Sequence, residues 1–260
     1  MRFLWGMLGA IAGVSTVAAQ SKGPVDLSAV RMIDLSHELA SDAPAWPGLR
    51  FPFRLDTVVA NDRAAMFNVF TPEHFGTHLD APRHASGAGL TTERVPLERL
   101  IAPAVVVDVT AAVGQNADYG VTPADLARHE ARYGRIPAGS FVLIKTGWGS
   151  RWGQASYFGA DSSSGRTVLH FPSLGVEAAR VLAERGVAGV GVDCPSTDVG
   201  AAPSFEVHGV FGAAGIPAIE NLADLSEVPA IGAVLVALPP KIKGGSGGPI
   251  RVVALIPKSR

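Results

Sequence analysis

The stretch Pro72-Glu73-His74-Phe75-Gly76-Thr77-His78-Leu79-Asp80-Ala81-Pro82-Arg83-His84 constrains this chain more than any other. Three of the seven histidines and one aspartate fall within it, at positions 74, 78, 84 and 80. Extended backbone sends alternate side chains to opposite faces. One face then carries His74, Gly76, His78 and Asp80, and the other turns Phe75, Thr77 and Leu79 into a core. A helix would bring His74 and His78 together but leave Asp80 aside, and Gly76 and Pro82 disfavour one. Imidazoles with a carboxylate and no thiolate suit zinc or manganese, not a structural zinc finger. Gly76 is expected to leave room for an ion or a substrate. Pro82 is expected to turn the chain, so that His84 faces the ion without binding it. Scattered histidines on a surface strand are the plainer alternative, and the shared parity of Gly76 and Asp80 with two histidines argues against it.

Three ligands at 74, 78 and 80 leave positions open on the ion. Water bound there becomes a nucleophile near neutral pH, because its pKa falls from about 15.7 towards about 7. A base must then carry the proton to the leaving group. His84 is the candidate, since an ordinary imidazole titrates near about 6.5. From spacing alone, His208 and Glu220 are two of many groups able to complete the shell.

His74-x-Gly76-Thr77-His78-x-Asp80-x-Pro82-x-His84 resembles the signature of the cyclase-type metal-dependent hydrolases, a family that includes bacterial kynurenine formamidases and isatin hydrolases. The likeness continues through most of the chain after about residue 31. It takes in the loop Pro44-x-Trp46-Pro47-Gly48, the strand end Gly147-Trp148, and Gly191-x-Asp193-x-x-Ser196-x-Asp198. In members with two metals a late histidine is followed twelve residues on by a glutamate, and His208 and Glu220 match that pattern. The resemblance thus implies that Asp80 bridges two ions, with His208 and Glu220 on the second. Single-manganese relatives imply instead that Glu220 stands behind the ligands or takes part in catalysis. One or two ions of manganese or zinc, a small amide substrate and a homodimer follow from the same resemblance.

Two substrates compete within this expectation. The tail Lys241 to Arg251 looks like the isatin-hydrolase side of the family, which favours ring opening of a cyclic amide by metal-activated water. Kynurenine formamidase activity is the alternative, and Trp46 is a candidate wall for an aromatic substrate or else a tryptophan packed over the core edge. A non-catalytic periplasmic metal- or ligand-binding protein is the third reading, and His84 with open coordination argues for an enzyme.

The N-terminus bears on this choice. After Met1-Arg2, Phe3 to Ala19 is uncharged and mostly apolar, ending Val17-Ala18-Ala19. That is the form of a secretory signal peptide over 1–19. An uncleaved anchor is the alternative, at the short limit of about 17 residues for a span. The expected product is an exported, periplasmic protein, where a cytoplasmic formamidase would not be placed. A net charge of -1 offers no basic excess for nucleic acid, and one cysteine excludes an intrachain disulfide. With 47% apolar and 17% charged residues the chain should be globular.

Strand patterns at 31–36, 104–109, 140–146, 187–192, 216–219, 235–238 and 250–256 alternate with helices at 122–133, 173–185 and 205–214. This predicts an α/β fold over 20–260, one domain with a mixed, partly barrel-like sheet flanked by helices. Of the phenylalanines at 51, 53, 67, 70 and 75, some are expected in the core. Gly147 to Gly165, with two tryptophans and a tyrosine, reads as a mobile loop and candidate lid, or else a solvated surface loop. Asp193 and Asp198 read as turn caps that could also shape the site, and Cys194 as a small buried residue.

Overall fold

Apolar runs without polar alternation build the middle of the sheet, as strands buried on both faces require. The computed structural model describes residues 26–49 and 53–258. The leader-like segment 1–19 and Phe51 lie outside the described residues. The strands are β1 (Val30–Asp34), β2 (Arg54–Ala60), β3 (Ala65–Phe70), β4 (His78–Asp80), β5 (Ile101–Asp108) and β6 (Gly120–Val121). They continue with β7 (Phe141–Lys145), β8 (Ser173–Leu174), β9 (Gly189–Val192), β10 (Ala218–Glu220), β11 (Ala233–Leu238), β12 (Gly247–Pro249) and β13 (Arg251–Pro257). Nine of them form one sheet in the order β1-β13-β11-β5-β7-β9-β10-β4-β12. Within this sheet β5, β7, β9 and β10 run parallel, and every other pair is antiparallel. The sheet curls into a half-barrel, so the fold is the mixed α/β domain that the sequence predicts.

The two faces of the sheet feed two cores. Val105, Val107, Val142 and Ile144 join Leu126, Ala179, Leu182 and Phe211, which come from helices Pro123–Tyr133, Val176–Glu184 and Glu206–Ala214. Ala104, Val106, Phe141 and Leu143 join Leu79, Ile219, Leu235 and Val252 on the other side. Close packing here needs glycine: a Cβ on Gly189 would fall 2.3 Å from the Phe141 ring. Helix Pro123–Tyr133 starts and stops where the sequence indicates. Asp125 accepts from the Thr122 N–H at 2.8 Å, and Gly134 leaves the helix at φ 91°.

One feature adds to the expectation and two depart from it. Residues 54–70 form a separate two-stranded hairpin, β2 with β3, on which Phe67 and Phe70 are exposed, while Phe53 and Phe75 are buried and stacked. The helix expected from 173 starts at Val176, because Ser173 and Leu174 pair with Gly120 and Val121. The expected lid is tied down. Trp148 and Tyr157 are buried, the Trp148 Nε1–H donates to the Tyr157 carbonyl at 2.8 Å, and Trp152 stacks on His37 with centroids 4.2 Å apart. Aromatic side chains that a surface loop would leave in water here fill the core beside the sheet.

Leu143 sits at the centre of the inner face with no exposure. Leu143→Ala should lose about 2–5 kcal/mol of stability, read as a lower urea midpoint with an unchanged slope.

Candidate metal centre

The ligand stretch is only partly extended. β4 begins at His78, and the alternation holds for His78 and Asp80 alone. Gly76 turns the chain at φ 63°, and a Cβ there would meet Leu39 Cδ2 at 2.5 Å. The glycine therefore serves the turn and Leu39, and it also lines the cavity beside the ligands. His74 reaches the centre from the bend before that turn. Across the β4–β10 ladder His78 faces Glu220. Directly opposed residues share a face, so the two side chains stand together. His208 arrives from helix Glu206–Ala214, and His84 from the single turn Pro82–His84.

The five expected ligand side chains converge. His74 Nδ1 lies 2.6 Å from Asp80 Oδ1. His78 Nε2 lies 3.3 Å from Asp80 Oδ1 and 3.5 Å from Glu220 Oε2. His208 Nε2 lies 3.4 Å from Asp80 Oδ2 and 3.2 Å from Glu220 Oε1. His78, Asp80, His208 and Glu220 are buried. Two trios have donor atoms mutually close enough for one ion, His74/His78/Asp80 and Asp80/His84/His208, with Asp80 common to both.

The donors fit a divalent cation. His78 Nε2 and Asp80 Oδ2 are buried with no hydrogen-bond partner. Burial opposes charge on His78, but Asp80 and then Glu220 outweigh it and lift its pKa to about 9. Burial likewise opposes charge on His208, yet Asp198, Asp80 and Glu220 push it up to about 12. Asp80 is held well below the usual carboxylate range against its burial, by His208, His74 and His78. Without a metal, protons on imidazoles supply the positive charge that these carboxylates demand. A divalent ion supplies it at the same place and leaves the imidazoles neutral, as ligands must be.

Each ligand histidine also has an outer partner, which fixes its ring and tautomer. His78 donates its Nδ1–H to the Gly76 carbonyl at 2.9 Å. His208 donates its Nδ1–H to Asp198 Oδ2 at 2.6 Å, and Asp198 also accepts from the Val207 and His208 N–H groups. Ser246 donates its hydroxyl to Glu73 and lies 3.1 Å from His74 Nε2. A His74 Nε2–H donated to Ser246 leaves the Nδ1 lone pair towards Asp80. Asp193 does not reach the ligands. It accepts from the Thr146 and Gly147 N–H groups and holds that strand end in place.

The centre opens into a cavity of about 540 Å³. Trp46, Phe75, Phe158, Phe205 and Pro195 line it together with His74, His78, His208, Glu220 and His84. Trp46 meets the Phe158 ring edge-on at 5.8 Å. The His84 ring lies 3.8 Å from that of His74 and 5.5 Å from that of His208, exposed on its cavity side.

The Cyclase family model matches residues 33–199. The chain belongs to the Cyclase family. The matched span holds His74, His78, Asp80, His84 and Asp198, and His208 and Glu220 lie beyond it. Among curated relatives, an isatin hydrolase of Roseibium aggregatum is 36% identical over 72% of this chain and 73% of its own length. A kynurenine formamidase of Salinibacter ruber is 31% identical over 85% of this chain and 96% of its own. Among solved structures, isatin hydrolase A of Labrenzia aggregata bound to benzyl benzoate superposes with a TM-score of 0.81 at 33% identity. That match covers 89% of this chain and 95% of the other. An isatin hydrolase bound to the product analogue thioisatinate gives a TM-score of 0.81 at 30% identity, over 89% and 94%.

For this family member, every site residue proposed from sequence lies at one centre or lines its cavity. The sequence pattern does not point to Phe158, Phe205, Ser246 or Asn221. Phe205 precedes His208 by three positions, which is one helical turn and the only spacing signal among them. Asp198→Ala should weaken zinc or manganese binding by about 10–100-fold, because His208 loses the partner that orients it. Competition against a chromogenic chelator measures this.

Proposed function

We propose that this protein is a metal-dependent hydrolase that opens the ring of a small, flat cyclic amide of the isatin type. One observation carries the reading: a buried His/Asp/Glu cluster with partnerless donor atoms opens directly into an aromatic-walled cavity, with His84 on its rim. The cavity volume suits a small ligand, since such sites run to about 300–1,000 Å³. The isatin hydrolase relatives, one of them bound to a product analogue, support the same substrate class.

Bound at the cluster, a manganese or zinc ion would supply an activated water and polarise the amide carbonyl. His74, His78 and Asp80 would hold it, with His208 and Glu220 completing the donor set. The chain supplies the remaining steps. Trp46, Phe158 and Phe205 hold a flat ring by its faces and edges and keep bulk water off the reacting bond. His84 accepts the proton of the attacking water at an imidazole nitrogen. It returns that proton to the amide nitrogen as the C–N bond breaks, giving a free amine and a carboxylic acid that loses its own proton to solvent. His84 starts neutral: partial desolvation holds it below the ordinary imidazole value, against the pull of Asp80.

Two ions are the second reading, favoured by the two trios that share Asp80. His84 as a ligand of a second ion cannot also shuttle the proton, so one ion fits the base role better. Kynurenine formamidase activity is the competing substrate reading, supported by the Salinibacter ruber relative. Among the described cavity residues there is no lysine or arginine to pair with an amino-acid carboxylate, which weighs against it. The apolar leader at 1–19 supports a periplasmic site of action after cleavage. No helix among the described residues is long and apolar enough to cross a membrane.

The protein is proposed to act as a homodimer through the β2–β3 hairpin. A two-stranded hairpin alone is marginal in water. On one face of this one Leu55 opposes Val69 and Phe67 lies beside them, all exposed. An apolar patch of this kind marks an interaction surface.

Mature protein loaded with manganese or zinc should hydrolyse isatin faster than N-formylkynurenine in side-by-side assays. His84→Ala should lose about 10²–10⁴-fold in kcat with metal content unchanged. Isatin and N-formylkynurenine both left intact by the metal-loaded protein would sink the enzyme reading. Light scattering should find a dimer that Phe67→Glu with Val69→Glu converts to a monomer. A monomeric parent would overturn the dimer.

A further inference from the structure

Beside the ligands, and reaching the cavity wall at Asn221, lies a polar layer that the mechanism above does not use. Asn221 follows Glu220 in the chain and, at φ 56°, is the one non-glycine residue with positive φ among those described. Asparagine tolerates this left-handed conformation better than most residues. Its main chain is fixed on both sides: its N–H donates to the Cys194 carbonyl at 3.0 Å, and its carbonyl accepts from Thr77 Oγ1 at 2.6 Å.

The side chain does something separate. Asn221 Nδ2 donates to the Gly76 carbonyl at 2.9 Å. The same carbonyl takes the Nδ1–H of His78, also at 2.9 Å. A carbonyl only accepts, so the amide must present nitrogen here and oxygen at its other end. There Asn221 Oδ1 accepts from the Tyr157 hydroxyl at 2.7 Å. Tyr157 is 1% exposed and belongs to the loop 147–165, held by the Trp148 indole. A continuous chain of groups therefore runs from that loop to His78. Its far end is the His78 Nε2, buried with no partner and facing both Asp80 and Glu220.

We propose that Asn221 and Tyr157 are positioning residues for the metal centre. Together they pin the Gly76 carbonyl where it holds the His78 Nδ1 proton, so that His78 offers Nε2 to the ion. Gly76 lies in a left-handed turn, and its carbonyl accepts from both His78 and Asn221. The Asn221 amide pins the carbonyl, and the Tyr157 hydroxyl stops the amide from flipping. This rests on the metal reading above. It adds that the loop 147–165 governs metal affinity without touching the ion.

The test uses Zn²⁺ alone, titrated into the full protein against a chromogenic chelator. Asn221→Gly keeps the left-handed backbone and both main-chain bonds and removes only the amide. It should bind Zn²⁺ about 10–100-fold more weakly, the usual effect of losing such a partner. Tyr157→Phe removes one oxygen and should weaken binding in the same direction by a smaller factor. The double variant should bind no more weakly than Asn221→Gly alone, because both act through one chain. In ¹⁵N-edited spectra of the zinc-loaded protein, the hydrogen-bonded Nδ1–H signal of His78 should shift or broaden in both variants. Zn²⁺ affinity within twofold of wild type in both variants overturns the proposal while leaving the metal centre standing. If Asn221→Gly does not fold, Tyr157→Phe decides alone, with an unchanged affinity and His78 signal as the overturning result. A wild-type chain that takes up no Zn²⁺ overturns the metal reading and this proposal with it.

Discussion

Asp80 and Glu220 place two carboxylates where almost no water reaches them. A buried carboxylate is costly unless positive charge or several hydrogen bonds compensate it. Three imidazoles crowd against these two groups, and two donor atoms still have no partner. That unmet demand for a cation shapes the region around it. Asp198, Ser246 and the Gly76 carbonyl each hold one imidazole by its far nitrogen, which keeps the near nitrogens aimed at one point. Such an arrangement resists collapse only because its outer partners are themselves anchored.

The sheet explains how residues so far apart in sequence reach that point. β10 ends the parallel set, and functional groups gather beyond the carboxyl ends of such strands. β4 runs the other way, so its first residue, His78, meets the last residue of β10, Glu220. β12 closes the far side of β4 and carries Ser246 at its entry. A Cβ on Gly247 would lie 2.6 Å from the His74 ring, so a glycine at that position lets the ring pass. The cavity walls come from elements outside the sheet: Trp46 from an early loop, Phe158 from the loop after β7, Phe205 from the start of a helix.

Much of this is legible in the order of residues alone. The spacing of His74, His78, Asp80 and His84 announces metal chemistry because few other uses bring those donors so close along the chain. The frame is legible too, through the β-branched run at 105–107, the Thr122-Pro123 helix start and the glycine stops at 134 and 186. Other parts are not. Phe67 and Val69 have the pattern of core residues and stand in water on the hairpin, because apolarity says that a residue is covered but not by what. The loop 147–165 has the composition of a mobile segment, yet Trp148 and Tyr157 anchor it, since burial of two aromatic rings outweighs a local excess of glycine and serine. Gly76 stands out in the motif, but its spacing gives only part of the reason, as its neighbour Leu39 lies 37 positions away.

The donor types, the buried strands, the helix caps and the family are all written in residues a few positions apart, so the linear chain suffices to specify them. Folding in three dimensions was needed to bring Glu220 and His208 onto Asp80, to set Ser246 and Asp198 behind the imidazoles, and to carry Tyr157 to Asn221. Those pairings span 10 to 172 positions of chain. Local propensity carries no information across most of that distance. What sets them is the order of strands in the sheet and the packing on its two faces.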